Sequence, residues 1–166
     1  MDATREDPML TALESVAPGT PLRQALEYII AARTGALIVI GDEEGADAIS
    51  NGGFEIGAEF TPQRLFELSK MDGAILLDAE VTRIRRANAH LMPDPSLPTS
   101  ETGMRHRTAE RVSRQTDALV ISVSQRREVV SLYRGGIRLI LEDIDVVLAK
   151  ANQALQTLQR YRSRLD

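Results

Sequence analysis

The sequence contains no cysteine, and only two of its 166 residues are histidine. Without cysteine the chain can form no disulfide framework, no thiolate nucleophile and no thiolate metal site. The two histidines, His90 and His106, are not arranged in an HExxH motif or in any other paired-histidine spacing. A zinc enzyme is therefore not indicated.

Long apolar runs are also missing from the sequence. No run approaches the roughly 20 residues that a membrane-spanning helix requires, and the first ten residues lack the basic region and apolar core of a secretory signal. By default we expect a cytoplasmic protein without membrane association. The net charge of −4 argues against a surface dedicated as a whole to nucleic acid, because such domains usually carry a net basic face.

Helix and strand signals alternate along most of the chain, which is long enough for one domain with a proper core. Capping residues and apolar periodicity predict helices over residues 8–17, 21–34, 62–70 and about 101–115, and two of these start with a threonine cap followed by proline, at Thr20 and Thr61. Apolar runs predict strands over residues 36–40, 74–77, 81–91, 118–122, 129–133 and 137–141. Residues 41–57 are predicted to be loop, with room for a short edge strand, and the prolines within residues 92–99 exclude regular structure there. The pattern predicts an α/β fold, a single domain with a central mixed β-sheet flanked by helices.

A long C-terminal helix is predicted after the last strand. Its apolar seam is formed by Ile144, Leu148, Ala151, Leu155, Leu158 and Leu165. Because the last turns of this helix have little sequence left to pack against, we expect a fragment of a longer protein, or a helix that docks on another copy or on a downstream domain.

The run Arg105-His106-Arg107 is an excess of positive charge in an acidic chain, and two interpretations are open. It is either a solvated helix surface or part of a pocket for an anion. In the middle of a helix, residues two apart point about 200° away from each other, so Arg105 and Arg107 could not hold one anion. At a helix start after Gly103 they can, and the free N–H groups there favour phosphate.

The dipeptide Asp72-Gly73 has the same ambiguity. Asp and Gly before a strand commonly form a simple turn. The alternative is a carboxylate at the edge of the sheet that holds a divalent cation, since Mg²⁺ is often bound by one or two carboxylates plus the phosphates of a substrate.

Three other polar residues are predicted to have structural roles. His90 is predicted to be a half-buried strand residue. Glu110 and Arg114 are predicted to form an outward-facing i, i+4 ion pair on the helix that follows Arg107.

Three segments, KMDGAILLD (residues 70–78), LPTSETGMRHRTAERVSRQT (residues 97–116) and ISVSQRREVVSLYRGG (residues 121–136), together resemble the diadenylate cyclase domain of the bacterial DNA-integrity scanning proteins. The two signatures of that family, Asp-Gly-Ala and Arg-His-Arg, occur here intact and in the expected order. The resemblance extends over about residues 10–141.

The family joins two ATP molecules into cyclic di-AMP, releases two pyrophosphates and uses Mg²⁺ or Mn²⁺. The resemblance implies that Asp72 binds the metal and helps to activate the ribose 3′-hydroxyl. The implied catalytic residues are Asp72, Arg105, His106 and Arg107, and the implied ATP-binding residues are Gly73, Leu91, Met104, Arg105, His106, Arg107, Thr108 and Ser124. Met104 and Gln125 depart from the family, which frequently has a threonine and a basic residue at these two positions.

The resemblance also implies partners and a domain division. Because the product has two-fold symmetry, two copies are expected to pair face to face, and the full-length family is expected to form an octamer. Residues 1–141 would be the cyclase domain, and residues 142–166 would begin a linker to a missing downstream DNA-binding region, through which alone DNA is bound. Two rival functions remain open: a sensor that binds ATP or cyclic di-AMP without turnover, and a DNA-binding domain.

Overall fold

The computed structural model describes residues 8–141 and 153–160 of the chain. Its helices are α1 (Pro8–Ser15), α2 (Pro21–Ala31), α3 (Glu43–Ala48), α4 (Pro62–Ser69) and α5 (Met104–Gln115). Its strands are β1 (Ala36–Ile40), β2 (Ser50–Asn51), β3 (Phe54–Glu59), β4 (Ala74–Leu77), β5 (Arg83–Leu91), β6 (Leu119–Val123), β7 (Val130–Arg134) and β8 (Ile137–Ile140). Residues 153–160 are helical as well.

The eight strands form one mixed sheet in the order β2-β5-β4-β1-β6-β7-β8, with β3 also paired to β5. Strands β1 and β4 are parallel, with Leu37 opposite Ala74 and Ile40 opposite Leu77, and every other pairing of the sheet is antiparallel. Both parallel strands therefore begin at the same edge of the sheet. The predicted mixed sheet flanked by helices is confirmed.

Helices cover both faces of the sheet, which explains the uninterrupted apolar sequence of its central strand β1. Ala36, Ile38 and Ile40 belong to a core shared with α1, α2 and α4. Leu37 and Val39 belong to a second core, shared with α3 and α5. Because successive side chains of a strand point to opposite faces, a strand covered on both sides needs apolar residues at every position.

The predicted caps of the two proline-initiated helices are confirmed. The Thr20 hydroxyl accepts a hydrogen bond from the Arg23 amide at 3.3 Å, and the Thr61 hydroxyl accepts one from the Arg64 amide at 3.1 Å. Each threonine satisfies an N–H group that has no partner within its helix.

The prediction of a loop over residues 41–57 is wrong in part. Helix α3 begins after Asp42, whose carboxylate accepts a hydrogen bond from the Gly45 amide at 3.1 Å, and the helix buries Ala46 against the sheet. Strands β2 and β3 lie at the edge of the sheet, where most side chains are exposed. Helix α3 and strand β2 carry no apolar pattern that would have predicted them. Strand β3 does have apolar residues at alternate positions, Phe54, Ile56 and Ala58, and it agrees with the short edge strand for which the prediction left room.

The long C-terminal helix is described only over residues 153–160, and all eight side chains there are exposed, including Leu155 and Leu158. The rest of the predicted apolar seam lies outside the described residues. Within the described part of the chain, no helix has both the length and the apolarity needed to cross a bilayer.

Candidate active site

The Asp72-Gly73 turn lies where β4 begins, at the edge of the sheet where β1 begins too. Asp72 is exposed, and Gly73 has a φ of +92°. A side chain at Gly73 would place its Cβ 2.8 Å from the Asn88 carbonyl carbon. Glycine is therefore required at this position by the backbone of β5, independently of any ligand.

Asn88 fixes this turn from the neighbouring strand, and the sequence did not single it out. It has a φ of +55° in the middle of β5, where the pairing register with β4 shifts, so β5 bulges at this point. As a result Ala87 and Ala89 pack into different cores. The side-chain amide of Asn88 donates a hydrogen bond to the Asp72 carbonyl at 2.8 Å, so the bulge and the acidic turn are directly connected.

The run Arg105-His106-Arg107 occupies the first turn of α5, which begins at Met104 rather than at residue 101. Gly103 precedes it with extended backbone and provides no side-chain cap, and its carbonyl accepts the first helical hydrogen bond, from the Arg107 amide at 2.8 Å. The side chains diverge: Arg105 and His106 are half-buried, whereas Arg107 is exposed. This first turn combines uncapped N–H groups with cationic side chains.

The Arg105 guanidinium is held in place by two neighbouring segments. Its Nη1 donates a hydrogen bond to the Val123 carbonyl at the end of β6, at 3.1 Å. On another side it lies against Gly35, immediately before β1. Arg105 therefore has a defined position without any ligand.

His106 belongs to a polar network beneath the first turn of α5. Its Nδ1 lies 3.2 Å from the hydroxyl of Tyr133, a fully buried residue of β7. Burial, together with the Arg138, Arg105 and Arg127 charges, holds the pKa of His106 below its usual value despite the opposing Glu101 carboxylate. Burial raises the pKa of Tyr133 well above the usual range of a phenol, and Glu101 raises it further.

Arg138 and Glu101 complete this network. Nη1 of Arg138 lies 3.2 Å from a Glu101 carboxylate oxygen, and its Nη2 donates a hydrogen bond to the Ser131 hydroxyl at 3.2 Å. A strand at the sheet edge thus directs a fixed guanidinium towards the start of α5.

Two adjacent cavities meet at Arg105. The first, of about 370 Å³, lies between the Asp72-Gly73 turn and α5, and the second, of about 630 Å³, lies between α5, β8 and the loop that follows β6. The predicted residues that line the first cavity are Asp72, Gly73, Leu91, Met104, Arg105 and Thr108, and those that line the second are Met104, Arg105, His106 and Ser124. Most of the predicted site is thus brought together, while exposed Arg107 lines neither of these two cavities.

The second cavity is strongly cationic. Besides Arg105 it is lined by Arg126, Arg127 and Arg138, which face the single carboxylate of Glu101. A concave surface with this charge suits a polyanion. Ser124 contributes differently, because its hydroxyl accepts a hydrogen bond from the Arg127 amide at 3.3 Å and so shapes the loop.

Two structural predictions for polar residues were wrong. His90 is exposed rather than half-buried, and it lines the first cavity. Glu110 does pair with Arg114, at 3.1 Å, but its side chain is only 6% exposed rather than outward-facing. It is buried because it also accepts a hydrogen bond from the Thr99 hydroxyl, which ties the proline-rich segment to α5.

Asp72 is the carboxylate of the first cavity. Among the described residues, no cluster of three or more His, Asp or Glu side chains forms a complete metal cage. A divalent cation at Asp72 would therefore need further oxygen ligands from a bound molecule, such as phosphates, and this is a common arrangement for Mg²⁺.

Two family models match this chain. The model described as DisA bacterial checkpoint controller nucleotide-binding covers residues 23–138, and the model described as DisA bacterial checkpoint controller linker region covers residues 141–166.

Curated relatives carry the name DNA integrity scanning protein DisA. The protein from Symbiobacterium thermophilum is 61% identical over 150 residues, which is 90% of this chain and 43% of the relative. The protein from Clostridium tetani is 56% identical over 162 residues, which is 98% of this chain and 45% of the relative. The chain therefore spans less than half the length of these relatives.

Two solved structures share the fold. A hypothetical membrane spanning protein from Bacillus cereus is 28% identical, with a TM-score of 0.65, and the match covers 76% of this chain and 63% of that one. DacA from Staphylococcus aureus, as a double mutant, is 23% identical with a TM-score of 0.58 over 86% of this chain and 93% of that one. The second likeness concerns the fold alone.

The resemblance inferred from the Asp-Gly-Ala and Arg-His-Arg signatures is thus confirmed by the family models and by the curated relatives. Since the first model covers more than two thirds of the sequence, from residue 23 to residue 138, this chain belongs to the DisA bacterial checkpoint controller nucleotide-binding family.

Proposed function

We propose that this chain is a diadenylate cyclase, which condenses two ATP molecules into cyclic di-AMP and releases two pyrophosphates. The observation that carries the proposal is that Asp72 and Arg105, from the two signature motifs, line one cavity. A carboxylate that can hold a divalent cation is thereby combined with a fixed cationic group, which are the main requirements of phosphoryl-type transfer. Family membership supports a nucleotide as the ligand.

The nucleotide occupies both cavities. The adenosine occupies the first cavity, against Gly73 and Leu91, and the exposed thioether of Met104 packs on the base at the junction. The triphosphate extends past Arg105 into the cationic second cavity, near His106 and Ser124.

Helix α5 supplies most of the phosphate contacts. Arg105, His106 and Thr108 contact phosphate oxygens together with the uncapped N–H groups of the first turn. Arg107 is exposed and lines neither cavity, so its contact is made at the open side of the site.

The reaction consists of two equivalent displacements. In each, the 3′-oxygen of one ATP bonds to the α-phosphorus of the other, and the bond from that phosphorus to the bridging oxygen of the β-phosphate breaks. Pyrophosphate leaves with the bonding electrons, and the proton of the 3′-hydroxyl passes to water. The arginines of the second cavity stabilise the charge that develops on the leaving group.

Asp72 would hold a divalent cation, Mg²⁺ or Mn²⁺, together with the phosphates of ATP. When bound, this cation would lower the pKa of the ribose hydroxyl and neutralise phosphate charge. Asp72 would hold this cation, and the Asn88 hydrogen bond to the Asp72 carbonyl keeps the turn in place.

The symmetry of the product requires two copies of the chain. Each ATP is attacked by the other, so two identical half-sites face each other across a two-fold axis. A single copy binds ATP without cyclising it.

The proposal extends to the full-length protein, which forms an octamer and acts in the cytoplasm. Residues 1–141 are the cyclase domain, and residues 142–166 are the start of the linker. DNA is bound only through a region downstream of residue 166.

The test is incubation of the chain with ATP and either Mn²⁺ or Mg²⁺, followed by chromatographic separation of the nucleotides. Cyclic di-AMP and pyrophosphate in a ratio of one to two support the proposal. ATP binding without conversion at every protein concentration would instead identify a nucleotide sensor. DNA binding that falls steeply with salt, in the absence of ATP binding, would indicate a DNA-binding domain.

A further inference from the structure

We propose that Gly35 is a positioning residue for Arg105. The missing side chain of Gly35 leaves a slot that the Arg105 guanidinium fills, and this slot fixes the arginine in the wall between the two cavities. The inference rests on the proposed function, because it concerns the site at which that function places ATP.

The glycine is not explained by its backbone conformation. Gly35 does not have a positive φ, whereas Gly73 has a φ of +92°. A residue with a side chain could adopt the backbone of Gly35 without strain. Something other than conformation must therefore account for a glycine at this position.

The space around Gly35 provides the explanation. The three atoms nearest to a Cβ built on Gly35 all belong to the Arg105 guanidinium: the Cβ would lie 2.6 Å from Cζ and 2.8 Å from Nη2, and would overlap Nη1. At Gly73, by contrast, the nearest atoms belong to the backbone of β5. A side chain at Gly35 would therefore collide with the Arg105 side chain and not with the backbone of the sheet.

The slot acts together with a hydrogen bond from another direction. Nη1 of Arg105 donates to the Val123 carbonyl at 3.1 Å, while the guanidinium rests on Gly35. Gly35 precedes β1 and Val123 ends β6, and these strands are neighbours in the sheet. The guanidinium is therefore held between the ends of two adjacent strands, at the position where both cavities meet.

A side chain at Gly35 has different consequences for folding and for binding. The atoms that it would displace form the tip of a flexible side chain, so the arginine moves and the sheet does not. The thermal unfolding midpoint should then change little. The displaced guanidinium loses its bond to Val123 and leaves the cavity wall, so ATP binding should weaken.

A double-mutant cycle on the whole 166-residue chain tests this inference. The four proteins are the unmodified chain, Gly35→Ala, Arg105→Ala and the double variant, and the readouts are the Kd for ATP by calorimetry and the unfolding midpoint. We expect Gly35→Ala to weaken ATP binding about tenfold, the size of effect for a lost hydrogen bond from a charged group. In the Arg105→Ala background the Gly35→Ala substitution should not weaken ATP binding any further.

Three outcomes would overturn the inference: unchanged ATP affinity in Gly35→Ala, an equal loss in both backgrounds, or no ATP binding by the unmodified chain. If Gly35→Ala fails to fold, the double variant decides. It should fold as Arg105→Ala does, and its failure to fold would show that the glycine serves something other than Arg105. Because cyclisation is not measured, a chain that binds ATP without converting it would refute the proposed function and leave this inference standing.

Discussion

The hydroxyl of Tyr133 lies 3.2 Å from Nδ1 of His106 and joins the core of the sheet to the first turn of α5. Burial lowers the pKa of His106 and raises the pKa of Tyr133. At neutral pH the imidazole is therefore uncharged and the phenol keeps its proton. The histidine of the Arg-His-Arg signature is thus poised to gain a proton when an anion arrives.

The first prediction concerns the pH dependence of ATP binding. A triphosphate near His106 favours the charged imidazole, so the complex binds more protons than the free protein does. The affinity for ATP should therefore rise as pH falls from neutral towards the lowered pKa of His106 in the free protein. The His106→Gln variant, measured by calorimetry under the same conditions, corrects for protonation of ATP itself. Equal pH slopes in the two proteins would contradict the prediction.

The second prediction separates binding from chemistry at Asp72. Asp72→Asn removes the charge that holds the divalent cation and keeps the size of the side chain, so cyclisation should be abolished while ATP binding is largely retained. Product formation is measured by chromatography and binding by calorimetry. Glu80→Gln, which removes an exposed carboxylate outside both cavities, serves as the control. Full turnover in Asp72→Asn would remove this residue from the mechanism.

The third prediction concerns Asn88, which lies in the β5 bulge. Asn88→Gly keeps the positive φ but removes the hydrogen bond to the Asp72 carbonyl, so kcat should fall by roughly ten- to a hundredfold with little change in KM for ATP. The kcat of Asn88→Asp should fall as well, because its carboxylate oxygen would face the Asp72 carbonyl oxygen and could not donate a hydrogen bond to it.

The matched control for Asn88 is Asn51→Gly on the edge strand β2. If the Asn88 variants changed only the unfolding midpoint and left kcat unaltered, the side chain would support the fold alone. Steady-state kinetics and thermal unfolding on the same preparations distinguish these results.

The fourth prediction concerns acid stability. Burial opposes ionisation of Glu110, but hydrogen bonds from Thr99 and Arg114 outweigh it, and the pKa lies below its usual value of 4.5. A lowered carboxyl pKa contributes stability that is present above pH 4.5 and is lost as pH falls through the folded-state value. Glu110→Gln should cost about 1–3 kcal/mol at neutral pH.

This cost should shrink on acidification, because the unmodified chain then loses the same interaction. Denaturant unfolding at a series of pH values measures the difference. A cost that is constant from neutral to acid pH would show that the ionised carboxylate is not what stabilises the segment around Thr99.

The sequence predicted the central elements closely, for identifiable reasons. The bounds of β1 and β4 agree with the structure because each is a continuous apolar run that begins directly after a glycine, Gly35 or Gly73. Helices α2 and α4 were located by a threonine cap followed by proline. Helix α3 was not predicted, since it is short and buries only Ala46. Strands β2 and β3 lie at the edge of the sheet and bury few side chains, so the sequence indicated at most one short edge strand there.

Less of the candidate site could be predicted from the sequence. The signature motifs identified Asp72 and Arg105, because each residue of a family motif can be matched to one residue of this chain. The residues that hold them in place, Asn88 and Gly35, act through tertiary contacts between segments that are distant in sequence. The one available signal was the adjacent pair Arg85-Arg86, which interrupts the alternation of apolar and polar residues in β5 shortly before Asn88.

The central claim, that paired copies cyclise ATP, is tested most directly by specific activity measured over a range of protein concentrations. Nucleotide products are quantified at saturating ATP and divalent cation. If pairing limits turnover, cyclic di-AMP formed per chain should rise with concentration and then level off as the dimer saturates. A metal-replete sample that leaves ATP unconverted at every concentration, or activity per chain that does not depend on concentration down to levels at which the chain is monomeric, would contradict the account.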